Sequence, residues 1–383
     1  MPLVWIPSND YRLIAVNALT DDLVINMPLI VRGEEKSISG SFGLYDQTTP
    51  SLVVDQKDGI VIFGSSGSEA TNSGRGFFVG LNVNNDPPTI LWRTFMIPPQ
   101  DGSDPSWSIN SVNSLQHAYI FDGQKAIDLK ALPASPLRDM LYADWGNFGF
   151  NGTRSFAGAD PGWGGSWEWD NQTGIAYVST AEPAPDYNAT TRPGPNLWSD
   201  SIIAMDPTTG RFIWAFQTTP HDMWDWDCSW GVSIANINIG GTLKRAVFKG
   251  CKNEFLYALD AATGSLLWAL QPSGTRYTQH FGANGSPLTD PTNMQTMTRP
   301  DICCPKKTCI QFPGGGGALE SDLAVDPVKQ MVFLGAYNNG GPIHIFDAEP
   351  PFNGCKLNPP GSLAYLDSCG WNNDIGSDVF PGP

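Results

Sequence analysis

Charged side chains are scarce in this 383-residue chain, 16% of the total against roughly 25% in an average soluble domain. Long solvated helices depend on such residues and are not expected. Basic residues are fewer still, 22 against 38 acidic, and the formal charge of −16 argues against nucleic acid or an anionic membrane as the main partner. No apolar run reaches the roughly 18 residues of a membrane span, and the Met-Pro-Leu-Val-Trp start lacks a charged region followed by an apolar core. The expectation is a soluble chain without a secretion signal in the sequence at hand. Histidine is rare, and His117, His280 and His344 carry no motif. What is abundant is Gly (41), Pro (32) and Trp (14), with 19 Phe, 10 Tyr and 41% hydrophobic residues overall. Turns are therefore frequent, the core is large, and global disorder is excluded. At about 150 residues per domain the length allows two or three domains, or one large repeat-built β domain.

Seven cysteines and four Asn-x-Ser/Thr sequons, at Asn151, Asn171, Asn188 and Asn284, point to an oxidising, glycosylating pathway and hence to a secreted protein. An odd count leaves at least one thiol free or paired between chains. Cys303-Cys304-Pro-Lys-Lys-Thr-Cys309 lacks ordinary zinc spacing and reads as a disulfide-tied loop.

Two segments repeat closely: Ala204-Met-Asp-Pro-Thr-Thr-Gly210-Arg-Phe-Ile-Trp214 and Ala258-Leu-Asp-Ala-Ala-Thr-Gly264-Ser-Leu-Leu-Trp268, with tryptophans 54 residues apart. Each reads as a strand, a tight turn built on Asp and Gly, and a second strand whose Trp plugs the neighbouring unit. Gly80-Leu-Asn82 through Trp92 is a weaker copy, and Ile345-Phe-Asp347 keeps the first half. Asp-led turns running into apolar strands recur at Asp55, Asp170 and Asp326, and residues 233 to 249 supply a longer hairpin. Repeats of this size with several short strands are the signature of a β-propeller. The reading is all-β, a single propeller domain over residues 1–383 with six or seven four-stranded blades. Residues 98 to 160 and 270 to 320 read as long loops.

The stretch Gln217-Thr-Thr-Pro-His221-Asp-Met-Trp-Asp225-Trp-Asp227, followed by Cys251-Lys252-Asn253, resembles the quinoprotein alcohol dehydrogenases. These are propellers that bind pyrroloquinoline quinone and Ca²⁺ or a lanthanide. The resemblance covers most of residues 45 to 350 and is densest from 160 to 270. It implies quinone contacts at Ser66, Gly67, Ser68, Trp167 and Lys252, with Trp167 as the flat platform under the ring. It implies metal ligands at Glu69, Glu182, Asp225 and Asp227, Asp225 as the catalytic base and Lys252 as the cation beside the quinone oxygens. Asp227 stands where lanthanide-using members carry an aspartate. Glu182 stands where the family has a metal-binding Asn, and two or three extra residues separate Glu69 from Arg75. Cys303-Cys304 lies downstream of Trp167, so it is not the cysteine pair that covers the quinone in the family. A later Asn-Trp cofactor contact is absent, and roughly the first hundred residues and the last blade or two of the family have no counterpart.

The residues support the grouping by themselves. In a strand, Asp225 and Asp227 point to one side, two carboxylates that repel unless a cation or proton intervenes. Blander readings stand beside this one. Asp225 and Asp227 also suit a turn or cap, Glu69 a solvated loop, Trp167 blade packing and Lys252 a solvated strand. His221 reads as a structural hydrogen-bonding residue, and Cys251 as a partner for Cys228 across adjacent strands. Two enzymatic readings follow. One is oxidation of an alcohol or polyol with quinone and a hard metal ion. The other is a cofactor-free, redox-neutral biosynthetic step, such as a cycloaddition of the hetero-Diels–Alder type, in the same pocket. A non-catalytic binding module is the third.

Overall fold

The computed structural model describes residues 2–8, 12–28, 52–65, 76–96, 109–134 without 124, 158–184 without 160, 163 and 164, 195–271 without 223 and 224, 309–311, 319, 321–336, 341–347 and 375–379. Among these the single helical element is a π-helical turn at Ile109–Asn113, and the remaining regular structure is strand. The amino half contributes β1 (Leu3–Ser8), β2 (Arg12–Asn17), β3 (Leu23–Pro28), β4 (Leu52–Asp55), β5 (Ile60–Gly64), β6 (Phe77–Asn82), β7 (Thr89–Phe95), β8 (His117–Phe121), β9 (Ala126–Asp128), β10 (Gly158–Ala159), β11 (Glu168–Asp170), β12 (Ile175–Ser179) and β13 (Pro183–Ala184). The carboxyl half contributes β14 (Ser201–Met205), β15 (Phe212–Gln217), β16 (Ser233–Ile239), β17 (Thr242–Gly250), β18 (Leu256–Asp260), β19 (Leu266–Leu270), β20 (Cys309–Gln311), β21 (Leu323–Asp326), β22 (Met331–Leu334), β23 (Gly341–Asp347) and β24 (Ile375–Val379).

Strands β4 to β7 and β16 to β19 form two four-stranded antiparallel meanders, the blade units foreseen from the repeats. A third meander, β11-β12-β14-β15, lies between them. Its first strand, β11, borders both β4 and β16, and β16 in turn borders β21, so the first strands of successive sheets adjoin one another. A parallel bridge between Leu52 and Ser166 ties two of them. The chain is an all-β propeller.

The matched tryptophans sit where the repeat predicts. The indole of Trp92, on β7, donates to the Pro207 carbonyl at 2.8 Å, and that of Trp214, on β15, donates to Ala261 at 2.9 Å. Each acceptor is the residue after the turn Asp of the next sheet. Gly210 and Gly264 close those turns at φ +69° and +70°, a backbone that disfavours side chains. A Cβ there would come within 2.3 Å of Trp92 or 2.6 Å of Trp214, so the glycines also make room for the plugs. Burying an indole removes about 150–250 Å² from water, an upper bound of about 4–6 kcal/mol per plug. Charge adds a second tie: Arg245 on β17 grips Asp170 of the preceding sheet through two bonds of 3.1 and 2.8 Å.

Two expectations are corrected. The middle sheet has six strands, because the hairpin β8–β9 continues it, β8 pairing parallel to β15 with His117 opposite Trp214. This hairpin lies in the stretch read as a long loop. Its strand is short but alternates properly, with Ala118 and Ile120 buried, and it adds to the open edge of β15. Residues 273 to 307, within the second expected loop, lie outside the described residues, as do Cys303 and Cys304.

Candidate functional site

Between the end of β15 at Gln217 and the start of β16 at Ser233 the described residues form no strand. The two aspartates are therefore not brought together by strand alternation. Asp225 adopts the left-handed conformation at φ +64°, as His221 does at +54°. Aspartate tolerates this region better than most residues. The Asp222 carboxylate accepts the Trp226 amide at 2.7 Å and closes the segment from within. Neither aspartate lies in a strand, so tertiary packing and not pleating brings the carboxylates to one place.

There they meet Lys252, whose ammonium donates to Asp225 Oδ1 and to Asp227 Oδ2, each at 2.6 Å. The second oxygen of Asp227 accepts the Glu182 backbone amide at 2.9 Å. Glu182, Asp225 and Asp227 each offer one oxygen within 4.8 Å of the others. Trp230 places its ring 5.4 Å from the Lys252 nitrogen, within cation–π range. Asp225 keeps 23% of its side chain exposed while Asp227 keeps 1%, so one carboxylate faces an entrance and the other is sealed.

Electrostatics follow from this geometry. Burial pushes the Asp227 carboxyl up, but Lys252 and the Glu182 amide outweigh it and hold it below the usual carboxylate range. Burial likewise favours a neutral Lys252, and Asp225, Asp227 and Glu182 together reverse that, holding it well above the ordinary lysine value. The cluster is a buried ammonium among carboxylates, an all-oxygen donor set that already holds one positive charge. Such donors suit a hard cation.

Trp167 is buried, its ring 5.4 Å from that of Phe78 and against Gly64. Its indole N–H has no hydrogen-bond partner among the described residues, an unsatisfied donor beside an aromatic face. The neighbouring Ser166 carbonyl accepts the Val232 amide at 3.0 Å, which links this segment to the downstream end of the acid loop. The structure thus gathers Glu182, Asp225, Asp227 and Lys252, with Trp167 on an adjoining segment. Ser66, Gly67, Ser68 and Glu69 lie outside the described residues, although Gly64, just before them, abuts the Trp167 ring.

One feature was read from the sequence only in part, and another was missed. Cys228 and Cys251 are indeed joined, but they flank the hairpin β16–β17 from outside its strands, directly beside Asp227 and Lys252. Lys249, on β17, is fully buried, and its ammonium donates to the Gly250 carbonyl at 2.8 Å. Burial depresses it to about 7, with Asp322 and Asp227 opposing. One signal was available: Lys249 is a lone charge at the end of the apolar run Ala246-Val-Phe.

The chain is similar to known quinoprotein dehydrogenases. The family described as glucose/ethanol/alcohol dehydrogenase, beta-propeller domain, matches residues 151–302, which include the whole cluster. The quinone alcohol dehydrogenase subunit of Acetobacter aceti is 27% identical over 380 residues, 97% of this chain and 42% of the relative. A quinoprotein alcohol dehydrogenase of Pseudomonas putida is 38% identical over 110 residues, 29% of this chain and 18% of its own. The solved quinohemoprotein alcohol dehydrogenase of Comamonas testosteroni aligns with a TM-score of 0.67 at 23% identity, covering 99% of this chain and 48% of that one. A europium-containing methanol dehydrogenase also reaches 0.67, at 18% identity, covering 100% of this chain and 56% of its own. The chain spans about two-fifths of the length of the curated quinone alcohol dehydrogenase subunits it matches. The chain is thus similar to the quinoprotein alcohol dehydrogenases over nearly its whole length and shares their β-propeller fold.

Proposed function

We propose that this chain, as one propeller domain over residues 1–383, is a quinoprotein-type oxidoreductase acting on a small alcohol or polyol. The observation that carries the reading is the convergence of Glu182, Asp225 and Asp227 around one ammonium. Those three carboxylates, with Glu69, would hold Ca²⁺ or a lanthanide. Ser66, Gly67, Ser68, Trp167 and Lys252 would hold pyrroloquinoline quinone, with Trp167 as its platform. Bound there, the quinone supplies the two-electron acceptor and the cation polarises its carbonyl.

The protein's own groups account for the proton. Asp225 is the carboxylate that a substrate hydroxyl can reach, and as general base it takes the hydroxyl proton. Lys252 stabilises its ionised form until that transfer. Asp227, sealed from water, keeps Lys252 charged and in place. The buried disulfide and the exposed sequon at Asn171 support a secreted protein, and no helix among the described residues is long and apolar enough to cross a membrane.

Reconstitution with quinone and Ca²⁺ or La³⁺, followed by dye-linked alcohol oxidation, tests the reading. Turnover should appear only with both additions, and Asp225→Asn should lower it by about 10²–10⁴-fold, the usual worth of a general base. Wild-type turnover in the Asn variant, or no dye reduction with any alcohol, would overturn the assignment. Full product formation in chelator without quinone would instead mark a cofactor-free, redox-neutral enzyme.

A further inference from the structure

We propose that the Cys228–Cys251 disulfide is a positioning device that holds Lys252 in register with Asp225 and Asp227; this rests on reading the cluster as the active site. The acid loop has ties in two directions. Toward the flanking sheets, Asp227 Oδ1 accepts the Glu182 amide, Val232 donates to the Ser166 carbonyl, and Gly231 donates to Asp322 Oδ1 at 2.8 Å. None of these touches the segment that carries the lysine. Toward that segment run the disulfide, the Lys252 amide donating to the Asp227 carbonyl at 3.0 Å and the ion pairs themselves, while Asn253 donates to the Thr218 carbonyl and the Thr219 hydroxyl at the far, upstream end of the loop. Both cysteines are fully buried, which limits the access of an attacking thiol to the bond.

Global stabilisation is a separate effect of such a bond, exerted on the unfolded chain. A disulfide acts on the unfolded chain by closing a loop, here of 23 residues in sequence separation. In the folded chain the hairpin β16–β17 already brings Ser233 opposite Phe248, so there the residues that the bond orders are the few beyond the paired strands. Those residues are the ones that end in Asp227 and Lys252. The bond transmits the hairpin's register to a stretch that has no strand pairing of its own. Its effect is local alignment of carboxylate and ammonium, which lowers the cost of assembling the site when substrate arrives.

The test needs no cofactor, so loss of the quinone reading and loss of this one are separate outcomes. Acetylation of Lys252 by acetic anhydride is followed by peptide mass mapping, with Lys249 as the internal control. In the double variant C228A/C251A, acetylation of Lys252 should rise at least tenfold while Lys249, held on β17, stays as slow as in the wild type. A rise at both lysines would mean general loosening, and no rise at either would mean the bond is idle; each overturns the proposal. Should the variant fail to fold, hydrogen exchange of the intact protein decides. The Lys252 amide should be protected to the level of the β17 amides, and exchange at the rate of an open loop overturns the proposal. Absence of dye-linked turnover in the wild type would bear on the quinone assignment alone.

Discussion

Aspartates serve two regions of this protein in opposite ways. At the sheet turns, Asp55, Asp170, Asp206, Asp260 and Asp326 each accept the amide two residues ahead, at 2.8 to 3.0 Å. In four of them a glycine at the fifth position returns its amide to the Asp carbonyl. The turn partners of such an aspartate lie within five residues of sequence, although Asp170 also binds Arg245 and Asp260 lies 3.6 Å from Lys244. Asp225 and Asp227 instead take their partner from Lys252, and Asp227 a second one from Glu182, 45 residues away. A carboxylate satisfied locally shapes a turn, whereas one satisfied at long range builds a site that exists only in the folded chain.

Lysines draw the same contrast over three residues. Lys252 is buried among carboxylates and held charged, while Lys249 is buried with one backbone carbonyl and depressed to about 7. Pairing, not burial, separates them.

The contrast can be broken most severely at Asp227. Asp227→Ala leaves a buried ammonium and an inward amide short of a partner, and should cost about 3–5 kcal/mol in urea unfolding. A cost below 1 kcal/mol would place Asp227 with the turn aspartates. Lys249→Met should act in the other direction, stabilising by about 1–4 kcal/mol, as when buried charge is exchanged for apolar volume. The pH dependence has a fixed sign. Because the folded value lies below the unfolded one, the unfolded chain binds the proton more tightly, so the penalty is complete below pH 7 and fades as pH rises toward 10. The difference in melting temperature between variant and wild type should therefore be large at pH 6 and small at pH 10; a difference independent of pH would refute it. Asp260→Ala, at a turn, should cost only about 1 kcal/mol, the worth of an ordinary hydrogen bond, with no change in dye-linked turnover.

The turns and plugs were legible because their physics is local. Asp-x-x-x-Gly fixes a turn through its own amides, and a Trp four residues after the glycine marks the next interface, so 204–214 and 258–268 announced sheets and their packing. The hairpin β8–β9 was not legible, since its strand owes its place to the open edge of β15, about 100 residues away in sequence. At the site, the resemblance pointed to Glu182, Asp225, Asp227 and Lys252, but the strand geometry expected for the aspartates was wrong: Asp225 is left-handed, and neither aspartate lies in a strand. Lys249 was missed because its neutral tendency depends on which carboxylates fail to reach it.

The sequence by itself determined the strand and turn repeat, the tryptophan plugs and the residue types able to hold a cation. Tertiary structure alone decided that Lys252 bridges two carboxylates and that Asp227 is sealed while Asp225 stays partly open. Turn chemistry is satisfied within a few residues, whereas a charge is paired or stranded only by what the fold brings to it from afar.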